Sequence, residues 1–189
     1  MSSLAILILT HNEEENIVPV VENAKKCTDE VIIIDSGSTD QTVALAKEHG
    51  AKVSFRAWTD DFSAQRNFAL EQTKADWVLY LDADERIQEE AAREIRRIVS
   101  DGNPAAYQVE RKNIVFGKMM HHGGHRPDFV YRLYPRMAIH WQGKVHEGIE
   151  TDLPSKTLHN VLLHYTYTTW KQYFAKFNQY TSLAAQSMF

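Results

Sequence analysis

The chain has 189 residues, 43% of them hydrophobic and 24% charged, proportions that exclude a disordered or fibrous protein and suit one packed domain. Lys and Arg number 21 against 25 Asp and Glu, a formal net charge of −4 that runs against the bias of a nucleic-acid binder, so no nucleic-acid partner is expected. The one cysteine, Cys27, excludes an internal disulfide and a Cys-based zinc site.

Leu4 to Leu9 is an unbroken β-prone run, the signature of a strand covered on both faces. It is too short and wrongly flanked for a signal peptide, and no run of about 18 apolar residues occurs. A cytoplasmic protein is the expectation. Polar His11 to Asn16 follow, then a helical pattern ending near Cys27. Val31 to Ile34 is a second buried strand, closed by Asp35-Ser36-Gly37-Ser38-Thr39-Asp40, where Ser38, Thr39 and Asp40 are N-cap candidates for a helix that stops at Gly50. Lys52 to Phe55 reads as a third strand and Asp61 to Thr73 as a helix. Trp77 to Leu81 is a fourth buried strand, running into Asp82-Ala83-Asp84-Glu85. A helix from about Ile87 to Val99 and a turn over Asp101-Gly102-Asn103-Pro104 come next. Residues 105–165 are short β-like stretches rich in His, Gly, Arg and aromatics. Thr168 to Phe189 returns to helix, with Trp170, Tyr173, Phe174, Phe177 and Tyr180 on one stripe.

Strands alternating with helices predict an α/β fold with a parallel sheet, helices on both faces, and ligands at the carboxyl ends of the strands. The chain divides into a nucleotide-type α/β half, residues 1–100, and a smaller mixed half, residues 101–189. Asp82-Ala83-Asp84 follows a buried strand on the ligand edge. In an extended segment residues i and i+2 point the same way, so both carboxylates can face one hard cation, Mg²⁺ or Mn²⁺, shared with substrate phosphates. Such an ion offsets the charge growing on a diphosphate leaving group. Thr10, His11, Asn12 and Glu13 end the first strand, where short polar chains can read a base edge, and Asp35 ends the second, where it can accept from a ribose or uracil. Ordinary loop capping accounts for each equally well. Arg66, between Gln65 and Asn67 on a helix, suits a base carbonyl or phosphate as well as a surface ion pair.

Taken together, Leu9-Thr10-His11-Asn12-Glu13, Ile34-Asp35 through Asp40, Gln65-Arg66-Asn67 and Leu81-Asp82-Ala83-Asp84-Glu85 resemble glycosyltransferase family 2, inverting enzymes of GT-A fold. Asp60 to Asn67, His122-Gly123-Gly124, Arg132-Leu133, Gly143-Lys144-Val145-His146-Glu147 and His164-Tyr165-Thr166-Tyr167 resemble its subgroup of bacterial lipopolysaccharide core β-1,4-glucosyltransferases. The resemblance implies a Rossmann-like nucleotide-binding half with a mostly parallel central sheet, joined to a smaller mixed α+β acceptor half. It implies uridine contacts from Thr10, Asn12, Glu13, Asp35 and Arg66, and metal and diphosphate contacts from Asp82 and Asp84. The implied reaction moves a hexose, glucose foremost, from a UDP-sugar to a glycan or lipid-linked acceptor such as the lipopolysaccharide inner core. The chain departs from many relatives at Ser36, where they carry a second acid. It also stops at Phe189 inside a helix where members of the subgroup usually continue, as expected of either a shortened chain or a shorter member, and in both cases acceptor contacts are expected to be missing.

An inverting transfer needs a carboxylate to take the acceptor's proton on the sugar face opposite the diphosphate. Glu147 is the candidate, partly because it stands where the family's base should be, and Asp128 is the alternative. His164 is a candidate third metal ligand, against a purely structural role. The glycines of His121-His122-Gly123-Gly124-His125 favour a loop over a zinc site. Arg126, Arg132 and Arg136 can grip phosphates or pair with Asp128 and Glu150. The aromatic stripe of the last helix reads first as core; exposed, it would lie at the inner face of the cell membrane as a peripheral contact. The alternative to a transferase is a nucleotide-sugar-binding module without transferase activity. A dehydrogenase is disfavoured because no G-x-G-x-x-G follows the first strand.

Overall fold

Strands and helices alternate through the first 80 residues as the apolar runs predict: β1 (Leu4–Thr10), α1 (Glu14–Ala24), β2 (Glu30–Asp35), α2 (Thr42–Glu48), β3 (Lys52–Phe55), α3 (Phe62–Glu71) and β4 (Trp77–Tyr80). These come from a computed structural model that describes residues 2–121, 127–143, 148–174, 177, 178 and 181. β1 lies in parallel between β2 and β4, and β3 extends the sheet in parallel beyond β2. Successive side chains of a strand leave on opposite faces, so each inner strand feeds two cores. Leu4, Ile6, Ile8, Val31, Ile33 and Leu79 pack with Ile17, Val20 and Val21 of α1 on one face. Ala5, Leu7, Ile32, Ile34, Val78 and Tyr80 pack with Ala69 of α3 on the other. This double covering explains runs with no polar alternation.

The rest of the chain adds β5 (Glu85–Ile87), α4 (Glu89–Asp101), β6 (Ala106–Val115), β7 (Lys118–Met119), β8 (Phe129–Pro135), β9 (His140–Gln142), β10 (Gly148–Glu150), β11 (Ser155–Thr157) and β12 (Leu162–Tyr167). Among the described residues the main sheet runs β3-β2-β1-β4-β8-β6-β12-β5, with β7 and β11 beside β6, and β9–β10 form a separate hairpin. β8 is antiparallel to both β4 and β6, and β12 is parallel to β6 and antiparallel to β5. Strands from beyond residue 100 therefore continue the sheet of the first half.

Several local features differ from the sequence expectations. The helix expected from Ile87 begins at Glu89, because residues 85–87 pair with β12 as a three-residue strand too short to show a period. α2 has Gln41 at its N-cap with no side-chain cap bond; Asp40 instead accepts from the Thr42 N–H at 3.0 Å and its hydroxyl at 2.5 Å. Gly50, at φ +78°, ends that segment as expected, a backbone state glycine adopts without strain. The C-terminal stripe is not core: Trp170 is 63%, Phe174 56% and Phe177 52% exposed, although Trp170 stacks on Phe174 and Tyr173 on Phe177. Tyr180 lies outside the described residues. Among those residues no helix is long and apolar enough to cross a membrane. Cys27 is buried, and desolvation pushes its thiol up to about 12, which leaves it chemically quiet.

The approach to β12 is set by Glu94 of α4. Its buried carboxylate accepts from the His159 and Asn160 N–H groups at 2.9 and 3.0 Å, and from His159 Nδ1 and Asn160 Nδ2 at 2.8 Å each. Burial works against this charge, but those hydrogen bonds outweigh it and hold the carboxyl below its ordinary range. Glu94→Ala is expected to cost about 1–3 kcal/mol in urea unfolding, the cost of stranding buried donors. A carboxyl depressed in the folded state stabilises above its unfolded pKa and stops doing so as pH falls through the folded one. The wild type should therefore lose stability on acidification over the carboxylate range, and Glu94→Ala should lack that part of the loss.

Candidate active site

β4 runs into a tight turn rather than an extended tip: the Glu85 N–H donates to the Asp82 carbonyl at 2.9 Å. This corrects the expectation that Asp82 and Asp84, as i and i+2 of an extended segment, aim at one point. Asp82 turns inward. Its carboxylate pairs with Arg132, with Arg66 at 3.9 Å and with Arg111 at 4.0 Å. Glu85 has no exposed surface, and it accepts from Arg132 at 2.6 Å, from Arg111 at 3.4 Å and, through its other oxygen, from the Asp82 N–H at 3.1 Å. Burial opposes the Asp82 charge, yet the three guanidiniums hold it far below the ordinary carboxylate range. The deeper Glu85 is raised by burial and by Asp82, and the same pair of carboxylates raises Arg132 despite its own burial. Arg132 is thus neither a phosphate grip nor a partner of Asp128 or Glu150. Arg136 donates to the Ala75 carbonyl at 2.9 Å, and Arg126 lies outside the described residues.

Asp84 turns the other way. Its Oδ1 stands 3.5 Å from His164 Nε2, and the Tyr165 N–H donates to its backbone carbonyl at 2.8 Å. His164 is paired with Glu85 on β5 and with Asn113 on β6, so those three share one face of the sheet, and Asp84 reaches the imidazole from the turn just before β5. His164 Nδ1 is 2.7 Å from Asn113 Oδ1, and Asn113 Nδ2 donates to Asp128 at 3.4 Å. Asp128 is gripped bidentately by Arg111, at 3.0 and 3.1 Å.

At the ends of β1 and β2 the expected residues form a web. Asp35 is buried and accepts from the Gly37 and Ser38 N–H groups and the Ser38 hydroxyl, at 2.9, 3.0 and 2.5 Å, which orders the loop after β2. Asn12 bridges to that loop: its N–H donates to Ser38 Oγ and its Oδ1 accepts from the Thr39 N–H. It does so at φ +54°, a left-handed conformation that Asn tolerates better than most residues. Glu13 Oε2 accepts from Asn16 at 2.8 Å. Thr10 is buried, and its hydroxyl finds no hydrogen-bond partner among the described residues. Arg66 is buried with its guanidinium 4.7 Å from the Trp141 ring centroid, 5.2 Å from that of Tyr80 and 3.9 Å from Asp82. Asn67 clamps Trp141 through two 2.9 Å bonds to its backbone, and Ser63 donates to the Gly143 carbonyl at 2.5 Å. α3 thereby anchors the start of the connection that leads to Glu147; Glu147 itself lies outside the described residues.

A cavity of about 350 Å³ opens where these pieces meet, lined among others by Asn12, Glu13, Asp40, Asp84 and Thr168. Among the described residues no three His, Cys, Asp or Glu side chains cluster as ion ligands; Asp84 and His164 supply two. The sequence reading missed Arg111, Asn113 and Glu85 as site residues. Arg111 and Asn113 alternate on one strand face, a period-2 polar signal that was visible but unaligned with any motif.

A family model described as glycosyl transferase family 2 matches residues 5–153. An uncharacterized glycosyltransferase of Rickettsia felis is 30% identical over 204 residues, covering 100% of this chain and 71% of that protein. The lipopolysaccharide core biosynthesis glycosyltransferase LpsC of Rhizobium meliloti is 30% identical over 200 residues, covering 96% of this chain and 70% of the relative. The crystal structure of S. aureus TarS 1-349 in complex with UDP shares the fold, with a TM-score of 0.66 at 17% identity over 92% of this chain and 62% of that one. The chain spans only part of each of these proteins, and 37% of one longer relative.

Removing Arg132 would strand the charges of Glu85 and Asp82 without changing any exposed surface. Arg132→Leu is expected to destabilise the protein by about 3–5 kcal/mol, read as a lower urea midpoint. Arg132→Leu combined with Glu85→Leu should recover part of that loss; a double variant no better than the single one would show that the pairing is not what the position supplies.

Proposed function

The chain belongs to glycosyl transferase family 2, and from that premise we propose that it moves a hexose, glucose foremost, from a UDP-sugar to a glycan or lipid-linked acceptor by an inverting, metal-assisted single displacement. Within the family, the reading favours a β-1,4-glucosyltransferase acting on an acceptor such as the lipopolysaccharide inner core, in line with LpsC, a lipopolysaccharide core biosynthesis glycosyltransferase. One observation carries the reading: Asp84 faces His164 at 3.5 Å beside a cleft reached by Asn12 and Glu13. That cleft is strongly acidic, since Glu13, Glu14, Glu15, Asp40 and Asp84 all line it. The nearby guanidiniums of Arg66, Arg111 and Arg132 are engaged by Asp82, Glu85 and Asp128. A diphosphate seated there needs positive charge from another source.

Asp84 and His164, with Asp82 behind them, would hold Mg²⁺ or Mn²⁺, which supplies the charge that offsets a departing diphosphate. Thr10, Asn12, Glu13, Asp35 and Arg66 take the uridine. Glu147 accepts the acceptor hydroxyl's proton while that oxygen bonds to the anomeric carbon and the bond from that carbon to the diphosphate breaks. Asp128 is the weaker base, because both its oxygens already accept from Arg111.

The acceptor reading is supported by the far end of β12. Past Asp152 the chain has no acid, and Lys171 and Lys176 follow Trp170 in sequence, in a protein of net charge −4. Exposed Trp170, Phe174, Met119 and Met120 gather at that end, with the Phe116 ring tilted against Trp170 at 4.5 Å. Aromatic and basic side chains together suit an anionic bilayer surface. This is the basis for a cytoplasmic protein held peripherally at the inner membrane face.

In a UDP-release assay with UDP-glucose and Mn²⁺, Asp84→Ala should abolish Mn²⁺-dependent UDP binding and turnover. Glu147→Gln should keep that binding and lower kcat by about 100- to 10,000-fold. Wild-type UDP binding that is identical with and without Mn²⁺ would count against the reading; tight binding with no turnover on any saccharide acceptor would favour the non-catalytic binding module. For the membrane contact, wild type should co-sediment with phosphatidylglycerol vesicles more than with neutral ones, and Trp170→Ala/Phe174→Ala should not. Equal sedimentation of both proteins would refute it.

A further inference from the structure

We infer that Asn113 is a positioning residue that sets how His164 meets the cation. Oriented by Asp128, it keeps the imidazole proton on Nδ1 and leaves the Nε2 lone pair turned toward Asp84. The inference rests on the reading of His164 as a metal ligand and deepens it.

The chain of reasoning begins at Arg111, whose two donors grip both oxygens of Asp128 at 3.0 and 3.1 Å. A carboxylate so held can only accept, so the Asn113 group 3.4 Å from it must be the NH₂ end of the amide. The amide oxygen is then committed to the other side, 2.7 Å from His164 Nδ1. An oxygen with no proton requires one on the nitrogen it meets, so Nδ1 is the donor and the tautomer follows from the network. Thr166 Oγ1, 3.4 Å from the same nitrogen, can turn to accept as well. Nε2 is left 3.5 Å from Asp84 Oδ1. In that tautomer the Nε2 lone pair and the Asp84 oxygen face one another, an arrangement that a divalent ion between them would use as two ligands.

The strand register makes the arrangement stiff. Asn113 and His164 are direct partners across β6 and β12, and the Asp84 carbonyl is tied to the Tyr165 N–H. Groups that hold the far nitrogen of a metal-bound histidine typically matter by 10–100-fold in metal affinity. None of this requires Asn113 to touch substrate.

The test is Mn²⁺ affinity in the presence of UDP, followed by electron paramagnetic resonance of free Mn²⁺, with the ring ¹⁵N shifts of His164 recorded on the metal-free protein. Wild type should show the Nδ1–H tautomer. Asn113→Leu, similar in size and without an acceptor, should lose that signature and bind Mn²⁺ about 10–100-fold more weakly at an unchanged melting temperature. Exchanging the two partners, Asn113→Asp with Asp128→Asn, keeps the net charge and returns an acceptor to Nδ1, and should restore affinity to near the wild-type value. An Nε2–H tautomer in the wild type would overturn the inference, as would Asn113→Leu binding Mn²⁺ normally while His164→Ala does not. If His164→Ala also binds normally, the ligand reading itself fails, and this inference falls with it.

Discussion

The ligand edge of this protein hangs on one buried ion cluster. Glu85 has no contact with solvent, and its charge is tolerable only because Arg132 and Arg111 reach it from two other strands. Those guanidiniums come from β8 and β6, while Glu85 opens β5 and Asp82 lies in the turn just after β4, so the cluster ties three strands and that turn at one point. A cluster of this kind supplies little net stability over well-packed apolar groups, but it penalises any arrangement that strands one of its members. That penalty holds the turn after β4 in a single shape.

The shape decides the roles of the two aspartates. Asp82 is drawn to the guanidiniums, while Asp84 stands at the cleft against His164. The same Arg111 that steadies Glu85 also grips Asp128, which orients Asn113 and through it His164. One guanidinium thus connects the deepest charge in the sheet to the imidazole at its edge. The remaining walls are built from loop bonds: Asp35, Asn12 and Ser38 knit the ends of β1 and β2, and Gln65 reaches across from α3 to Ser36 and the Arg56 carbonyl.

Electrostatics give the cleft its character. Acids dominate its rim, and its cations are spent on structure, a combination that disfavours a bare anion and favours one that arrives with a divalent ion. Close by, Thr168 and Gln172 line the cleft while Trp170 and Phe174, between and beyond them in sequence, face outward. Residues a few positions apart on one short stretch therefore serve two surfaces, which puts any body resting on the aromatic face within reach of the site.

The alternation of apolar runs, Leu4–Leu9, Val31–Ile34 and Trp77–Leu81, was enough to deduce a two-faced parallel sheet, because a strand covered on both sides cannot carry polar residues. The carboxyl-end location of Thr10, Asn12, Asp35 and Asp82-Ala83-Asp84 followed from the same pattern, since parallel strands deliver their ends to one edge. What local sequence could not express was any pairing between distant strands. β5 is three residues long and exists only through β12; Arg132 reads as a phosphate grip until β8 is inserted between β4 and β6; the aromatic stripe reads as core until its face is found uncovered. The division of Asp82 from Asp84 likewise depends on a turn closed by a buried glutamate and on arginines up to 50 positions away in the chain. Periodicity records which face of a strand is apolar; which charges meet across the sheet depends on register and strand order, and those were decided only when the chain folded.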